Sequence, residues 1–216
     1  MAPKRLRYVL ITGCGPGGIG EALAQRYRKH GYTMPATDID IATVKEMFDV
    51  NVFGPMKMVR EFHGMIVKSR GTVVNIGSIG GVIPYPYGSC YNATKAALHH
   101  WSSTLRVEMA PFEVKVLTVI SGEIGTNFLK ADKDRELPKA TTNRFEYAGK
   151  VVAVSLNSAP PAWFWYGHAT FLTRLIDTLA PRKFWDYLLS GMFNFGKLRR
   201  VHQEMRDVAS KENVPE

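Results

Sequence analysis

Short apolar runs alternate with longer segments of helical pattern along most of the chain. The runs at residues 8–12, 71–77 and 114–120 are rich in valine, isoleucine and threonine, and they predict buried strands. Helical patterns fill the segments from about 41 to 68 and from about 89 to 109. This alternation predicts an α/β fold in which helices flank a parallel sheet.

The last third of the chain continues the pattern but is richer in aromatic residues. Residues 145–157 predict a helix, and 163–167 predict a strand that precedes a helical tail. We expect residues 159–216 to be an aromatic-rich helical C-terminal extension of the domain formed by residues 1–158. Large apolar side chains with basic neighbours at 163–196 fit two interpretations. One is a packed helix pair or homo-oligomer interface, and the other is a peripheral membrane contact that also covers a lipophilic substrate.

The composition narrows the range of partners. The chain has 216 residues, 45% of them hydrophobic, which is enough for one domain with a buried core. Its two cysteines, Cys14 and Cys90, provide neither a disulfide framework nor a metal site. The net charge is +9, but no long basic run with interleaved aromatics occurs, so nucleic acid is not an expected partner. No apolar stretch has the length of a membrane span, which favours a cytoplasmic or peripherally membrane-bound protein.

A glycine-rich segment follows the first predicted strand. Residues 12–20 read Thr-Gly-Cys-Gly-Pro-Gly-Gly-Ile-Gly, and the spacing G-x-G-x-x-G fits from either Gly13 or Gly15. Backbone N–H groups at the start of a helix bind a pyrophosphate when no side chains intervene, and glycines meet both conditions. The context of strand, turn and helix favours nucleotide binding. The alternative is a tight turn with close helix–strand packing.

A tyrosine and a lysine share one face of the helix that begins near residue 89. Tyr91 and Lys95 are four residues apart, and Ser78 ends the preceding strand. Reduction of a carbonyl needs a proton donor beside the oxygen that hydride attack makes negative. An ammonium group beside a tyrosine hydroxyl stabilises the phenolate, and Lys95 can supply that charge. A serine hydroxyl can hold the same oxygen by a hydrogen bond. The alternative is a half-buried tyrosine with a solvated lysine.

Taken together, these motifs resemble the short-chain dehydrogenase/reductase family over most of residues 8–127. The matching pieces are the glycine turn, Asn51–Gly54, Asn75–Ser78, Tyr91–Lys95 and Ser121–Thr126. The resemblance implies a Rossmann-like fold and four catalytic residues. Tyr91 would be the general acid/base, Lys95 would assist it and bind the nicotinamide ribose, Ser78 would orient the carbonyl, and Asn51 would support a water relay to Lys95.

The same resemblance implies a nicotinamide cofactor. It assigns cofactor contacts to Gly13, Gly18, Ile19, Gly20, Asn51, Tyr91, Lys95, Ile124 and Thr126. Ser121 stands where the family usually has proline. The turn at 13–20 and the segment 120–127 are similar to fungal 1-acyldihydroxyacetone-phosphate reductase-like members, which favours NADP, with NAD as the alternative. That likeness also implies lipid or secondary metabolism, with the endoplasmic reticulum or lipid droplets as membranes the protein would bind peripherally.

The chain between the glycine turn and Asn51 is shorter than the family pattern requires. Gly20 to Asn51 spans only 31 positions, and roughly sixty residues are absent, including the second to fourth strands. We expect the junction near His30–Tyr32. One hypothesis is an NADP-dependent oxidoreductase that interconverts a ketone and a secondary alcohol on a lipophilic metabolite. The other is a truncated, catalytically impaired isoform or gene-model fragment that binds no cofactor.

Overall fold

The computed structural model describes residues 7–8, 32–33, 41–86, 88–125, 141–193, 195–197, 199–200 and 203–204. The backbone forms two compact units, residues 1–44 and 45–216. In the first unit, strand β1 (Arg7–Tyr8) pairs in parallel with β2 (Tyr32–Thr33). The rest of the strand predicted at 8–12, and the glycine turn after it, lie outside the described residues.

The second unit contains a parallel sheet of three strands in the order β3 (Thr72–Ile76), β4 (Lys115–Ser121), β5 (Trp163–Tyr166). Strand β4 is paired along both edges, and Leu117, Val119 and Ile120 on it are 0% exposed. Strands covered on both faces read as continuous apolar runs, which is the pattern seen in the sequence. The predicted α/β fold with a parallel sheet and flanking helices is confirmed.

Within the described ranges, six α-helices of eight residues or more are present. They are α1 (Ile41–Phe48), α2 (Gly54–Ser69), α3 (Ser89–Met109), α4 (Arg144–Ser155), α5 (Thr170–Leu179) and α6 (Lys183–Met192). The single helix predicted from about 41 to 68 is interrupted by a π-helical segment, Asp49–Phe53, in which the Gly54 N–H donates to the Asp49 carbonyl. Apolar periodicity is insensitive to one widened turn, so the sequence did not predict it. Such segments often mark functional sites.

Two apolar clusters hold the helices to the sheet. In the first, Leu105 and Met109 of α3 pack on Val114 and Val116, with Val59 and Ile66 of α2 against them. In the second, Ile83 in the connection after β3 packs on Trp185 and Leu189 of α6. The second cluster therefore anchors the connection that carries Ser78 to α6.

The C-terminal helices bury one face and expose the other. Thr170 and Thr173 of α5 and Trp185 and Leu189 of α6 are buried, whereas Phe171 and Tyr187 are each 80% exposed. Strand β5 places the start of this segment in the sheet, and the domain boundary at residue 158 stays a prediction. Within the described ranges, none of the helices combines the length and apolar character that crossing a bilayer requires.

Candidate active site

The carboxyl end of β3 turns sharply into the connection that carries Ser78. The Gly77 N–H donates to the Val119 carbonyl at 2.7 Å, which continues the β3–β4 pairing by one residue. Ser78 follows, and its Oγ accepts a hydrogen bond of 3.1 Å from the Gly80 N–H at the start of a short 3₁₀ turn. Because Gly80 occupies one acceptor position of Ser78 Oγ, the hydroxyl proton is available to a ligand.

Helix α3 begins on the far side of this connection. The Asn92 side chain donates to the Tyr85 carbonyl at 2.9 Å, which ties the first turn of α3 to the preceding loop. Tyr91 lies in this first turn, and Lys95 lies one turn later on the same face. The helix ends before Pro111, whose ring nitrogen has no proton to donate.

A cavity of about 510 Å³ lies between α3 and the carboxyl ends of β3 and β4. Four of the predicted site residues line it: Ser78, Tyr91, Lys95 and Ile124. The other walls include Ile79, Ile83, Tyr85, Ser121 and Tyr147. Its volume is within the range of small-molecule sites, and polar groups converge at one end of a largely apolar lining.

Lys95 is held at the sheet side of this cavity. Its Nζ donates to the Ile76 carbonyl at 3.1 Å and lies 5.8 Å from the centroid of the Tyr91 ring. Burial lowers the pKa of Lys95 from its ordinary value. The Lys95 amino group therefore lies beside Tyr91, and the hydrogen bond described for it goes to a backbone carbonyl and not to an acidic side chain.

Asn51 is connected to Tyr91 through Thr94. The Asn51 Nδ2 donates to Thr94 Oγ1 at 3.1 Å, and Thr94 Oγ1 donates to the Tyr91 carbonyl at 2.8 Å. Thr94 is 0% exposed, so this bridge is shielded from water. Asn51 does not line the cavity described above; with Lys95 it lines a neighbouring groove of about 440 Å³ between α2 and β3. Lys95 therefore lines both the cavity and the groove.

His99 lies one turn beyond Lys95 and contacts the Ser78 connection. Its Nε2 accepts a hydrogen bond of 3.1 Å from the Ser78 N–H. The side chain is 3% exposed, and burial together with the nearby Lys95 charge lowers the pKa of His99 to about 4. His99 is therefore neutral at neutral pH, with Nε2 as its acceptor nitrogen.

The segment after β4 forms the opposite wall. Ser121 Oγ and the Tyr147 hydroxyl are 2.6 Å apart, and burial raises the pKa of Tyr147 while the bond to Ser121 acts in the other direction. The Glu123 N–H donates to the His168 carbonyl at 3.3 Å, and the Thr142 N–H donates to the Glu123 carbonyl at 3.0 Å. Where the family usually has proline, Ser121 therefore provides a hydroxyl that fixes a cavity-lining tyrosine.

The structure places only part of the sequence-predicted site. Gly13, Gly18, Ile19, Gly20 and Thr126 lie outside the described residues, and their cofactor contacts stay predictions. Sequence reasoning did not single out the bridging Thr94, the buried His99 or the cavity-lining Tyr85 and Tyr147. A weak signal existed for His99, since its spacing of four from Lys95 places it on the same helix face. Nothing in the local sequence marked Tyr147.

Comparison with known proteins agrees with this geometry. Residues 33–137 match the short chain dehydrogenase family. The chain is 44% identical to the short-chain dehydrogenase fogD of Aspergillus ruber, over 91% of this chain and 96% of that protein. The chain belongs to the short-chain dehydrogenase/reductase family. Members of this family are oxidoreductases, so the predicted enzyme class is confirmed.

Further relatives of this short-chain dehydrogenase/reductase are also fungal. An NADPH-dependent 1-acyldihydroxyacetone phosphate reductase of Saccharomyces cerevisiae is 43% identical over 52% of this chain and 37% of that protein. Among solved structures, a short-chain dehydrogenase of Burkholderia cenocepacia in complex with NADP has a TM-score of 0.61 at 20% identity, covering 85% of each chain. At that identity the likeness shows a shared Rossmann-type fold.

The alignment with fogD is longer than this chain. It runs over 275 positions, 59 more than the 216 residues of the chain, so at least that many positions of the relative have no counterpart here. These gaps lie between the aligned ends. They agree with the roughly sixty residues that the family pattern predicts to be absent.

Proposed function

We propose that the protein is an NADP-dependent oxidoreductase that interconverts a ketone and a secondary alcohol on a lipophilic metabolite, such as a lipid or a secondary-metabolite intermediate. The cavity that brings Ser78, Tyr91 and Lys95 together is the observation that carries this proposal. These three side chains come from a strand end and from two turns of one helix. Their convergence is the arrangement that proton transfer to a carbonyl oxygen requires.

Each residue has a role that follows from its contacts. Tyr91 gives its hydroxyl proton to the substrate oxygen as negative charge develops there, and takes it back in the reverse direction. Lys95, whose Nζ lies 5.8 Å from the centroid of the Tyr91 ring, stabilises the phenolate that remains. Ser78, with one acceptor position occupied by Gly80, donates its hydroxyl proton to the same substrate oxygen.

The residues present fit the nicotinamide half of a dinucleotide. The wall at Tyr91, Lys95 and Ile124 is open to the cavity, and Lys95 Nζ retains donor capacity beyond its bond to Ile76. NADP would supply or accept the hydride at the carbonyl carbon. Support for NADP over NAD comes from the names of the NADPH-dependent yeast reductase and the NADP complex. In this proposal Gly13, Gly18, Ile19 and Gly20 bind the pyrophosphate, Thr126 contacts the nicotinamide together with Ile124, and Asn51 supports a water relay to Lys95.

The lipophilic character of the proposed substrate rests on the far wall of the cavity. Ile79, Ile83 and Tyr85 line it. Tyr85 packs edge-on against Phe193 with ring centroids 5.0 Å apart, and Ile83 packs against Trp185 of α6. The C-terminal helix therefore backs an apolar pocket wall, which favours an apolar substrate body next to a single reacting oxygen.

A peripheral membrane contact and a homo-oligomer are further parts of the proposal. The outer face of α5 exposes Phe171, Leu172, Leu175 and Leu179, and Arg174 and Arg182 lie nearby in sequence. An apolar helix face with basic neighbours binds an interface between water and lipid. Co-sedimentation with anionic vesicles, compared between the parent chain and Leu175→Glu, tests the membrane; light scattering tests the oligomer.

A second candidate is favoured by the internal gap. At least 59 positions of fogD have no counterpart in this chain, and in this second candidate their absence abolishes cofactor binding. Calorimetric titration with NADPH decides between the two candidates. Saturable binding supports the oxidoreductase, and absence of binding supports a catalytically impaired short form.

The decisive test of the proposed activity is replacement of Tyr91 by Phe. NADPH oxidation with a panel of lipophilic ketones should fall by about a hundredfold or more, because general acid–base catalysis contributes factors of this size. Tyr187→Phe is the matched control, since Tyr187 is 80% exposed on α6 and outside the cavity. Equal activity of the parent and Tyr91→Phe would sink the proposed mechanism.

A further inference from the structure

The His99 ring fills a narrow space beside Gly77 and Gly81. A Cβ added to Gly77 would overlap His99 Nε2, and one added to Gly81 would lie 2.5 Å from His99 Cε1. Glycine is therefore required at both positions by the close approach of the imidazole ring and of backbone atoms, the Val119 carbonyl oxygen at 2.9 Å from the first Cβ and the Lys95 carbonyl carbon at 2.8 Å from the second. The ring also contacts Trp163 of β5, with centroids 5.4 Å apart.

His99 hydrogen-bonds to the first residue after the β3–β4 pairing ends. Gly77 donates its N–H to Val119 of β4, and the next N–H in the chain, that of Ser78, has no strand to pair with. His99 Nε2 accepts it at 3.1 Å. Loss of His99 would leave this partly buried N–H without its protein acceptor, so we expect the connection to rearrange.

Within the proposed function, we infer that His99 is a positioning residue that fixes the Ser78 backbone and so directs the Ser78 hydroxyl into the cavity beside Tyr91. The imidazole acts through Ser78 and does not line the cavity itself. It needs the tautomer with the proton on Nδ1, because Nε2 is the acceptor. Nδ1 is buried and has no hydrogen-bond partner among the residues described, so the Ser78 N–H is the contact that selects the tautomer.

A double-mutant cycle separates positioning from general support of the fold. His99→Leu should lower kcat by about tenfold or more. The loss should not exceed that caused by removing one hydrogen-bond donor to the substrate oxygen, which is about a hundredfold to a thousandfold. In a Ser78→Ala background the same substitution should lower kcat by less than about twofold, because the hydroxyl that it displaces is already gone. NADPH affinity should be unchanged in both backgrounds. Equal fractional losses in the two backgrounds would overturn the inference.

Two controls make the cycle specific. His99→Gln supplies an amide oxygen as a new acceptor and should recover part of the lost kcat, whereas His99→Leu cannot. His100→Gln and His100→Leu carry the same changes at the exposed neighbouring position and should have parental activity. A His99→Gln variant as slow as His99→Leu would show that the acceptor is not what matters.

A spectroscopic measurement keeps the inference distinct from the proposed activity. In ¹⁵N spectra of the imidazoles at pH 7, the signals lost in His99→Gln should belong to a ring with protonated Nδ1 and unprotonated Nε2. The Ser78 amide proton should move upfield in His99→Leu. These readings need no turnover, so an inactive parent chain would refute the proposed function and leave them valid. A proton on Nε2 would refute the role of His99.

Discussion

Helices α2 and α3 flank the same sheet but contribute to it in different ways. Every residue of α2 is at least partly exposed, and it packs on the sheet through half-buried Val59, Ile66 and Val67. Helix α3 buries Thr94, His99 and Ser102, and each of these polar side chains is hydrogen-bonded to another element. Ser102 also lies 2.6 Å from Thr118 of β4.

Helix α2 therefore covers the sheet through apolar contacts, whereas α3 also fixes the positions of the candidate site residues through hydrogen bonds. Apolar contacts like those of α2 tolerate changes of register and shape, whereas a buried hydrogen bond fixes one arrangement because an unmade bond is costly. Helix α3 carries Tyr91 and Lys95 on this fixed framework. The side chains that α2 contributes to the groove beside it, such as Met58 at 58% exposure, are apolar, and the hydrogen-bonded residues of that groove lie on other elements. The α3 side of the candidate site is thus assembled in a chain that lacks at least 59 positions of its relative fogD.

The largest expected effect is a loss of protein stability in acid that comes from His99 on α3. The pKa of His99 is about 4 in the fold and near 6.5 in the unfolded chain. Between those values the unfolded chain binds more protons, so the free energy of unfolding falls as pH drops from 6.5 to 4, by roughly 3 kcal/mol from this group. Urea unfolding across this range measures it. His99→Gln should flatten the profile and His100→Gln should not; identical profiles for all three chains would contradict the assignment.

Removal of the Thr94 hydroxyl should have the next largest effect. Thr94→Val removes the acceptor of the partly buried Asn51 side chain, and we expect a loss of about 0.5–1.5 kcal/mol in the free energy of unfolding, the usual net contribution of one hydrogen bond. Thr104→Val is the matched control, because the Thr104 hydroxyl is exposed and bonds only within α3. If the two variants unfold at the same urea concentration, the bridge does not stabilise α3.

A glycine substitution on α2 should have the smallest effect and the opposite sign. A Cβ at Gly64, in the interior of α2, meets nothing within 4 Å, so Gly64→Ala should stabilise the protein by about 0.5–1 kcal/mol. Gly81→Ala, beside the His99 ring, should destabilise it. Thermal unfolding of both variants measures the contrast, and stabilisation by Gly81→Ala would contradict the close packing of Gly81 against the His99 ring and the Lys95 backbone.

Local pattern was sufficient to predict most of the elements and the candidate site residues Ser78, Tyr91 and Lys95. The bounds predicted for α3, residues 89 to 109, are those observed, because its polar and apolar positions follow one helical period from a glycine to a proline. Ser78, Tyr91 and Lys95 were predicted from their positions at a strand end and a helix start. The structure brings them to one cavity, since the carboxyl ends of parallel strands meet at one edge.

The partners of these residues could not be read from the sequence. Thr94 and Asn51 are 43 positions apart, and Ser121 and Tyr147 are 26 apart, so no local period links them. His99 looked like an ordinary helical residue until the glycines beside its ring were seen in three dimensions. Hydrogen bonds between distant elements depend on tertiary packing, which spacing alone does not define.

The central claim is that the α3 side of this short chain still performs hydride and proton transfer. The most direct measurement uses NADPH deuterated at the transferred position, a lipophilic ketone and the 216-residue chain, with mass spectrometry of the alcohol. We predict one deuterium in the product of the parent chain and of Tyr187→Phe, and none above background with Tyr91→Phe. Unlabelled product, or no product from any of the three chains, would contradict the claim.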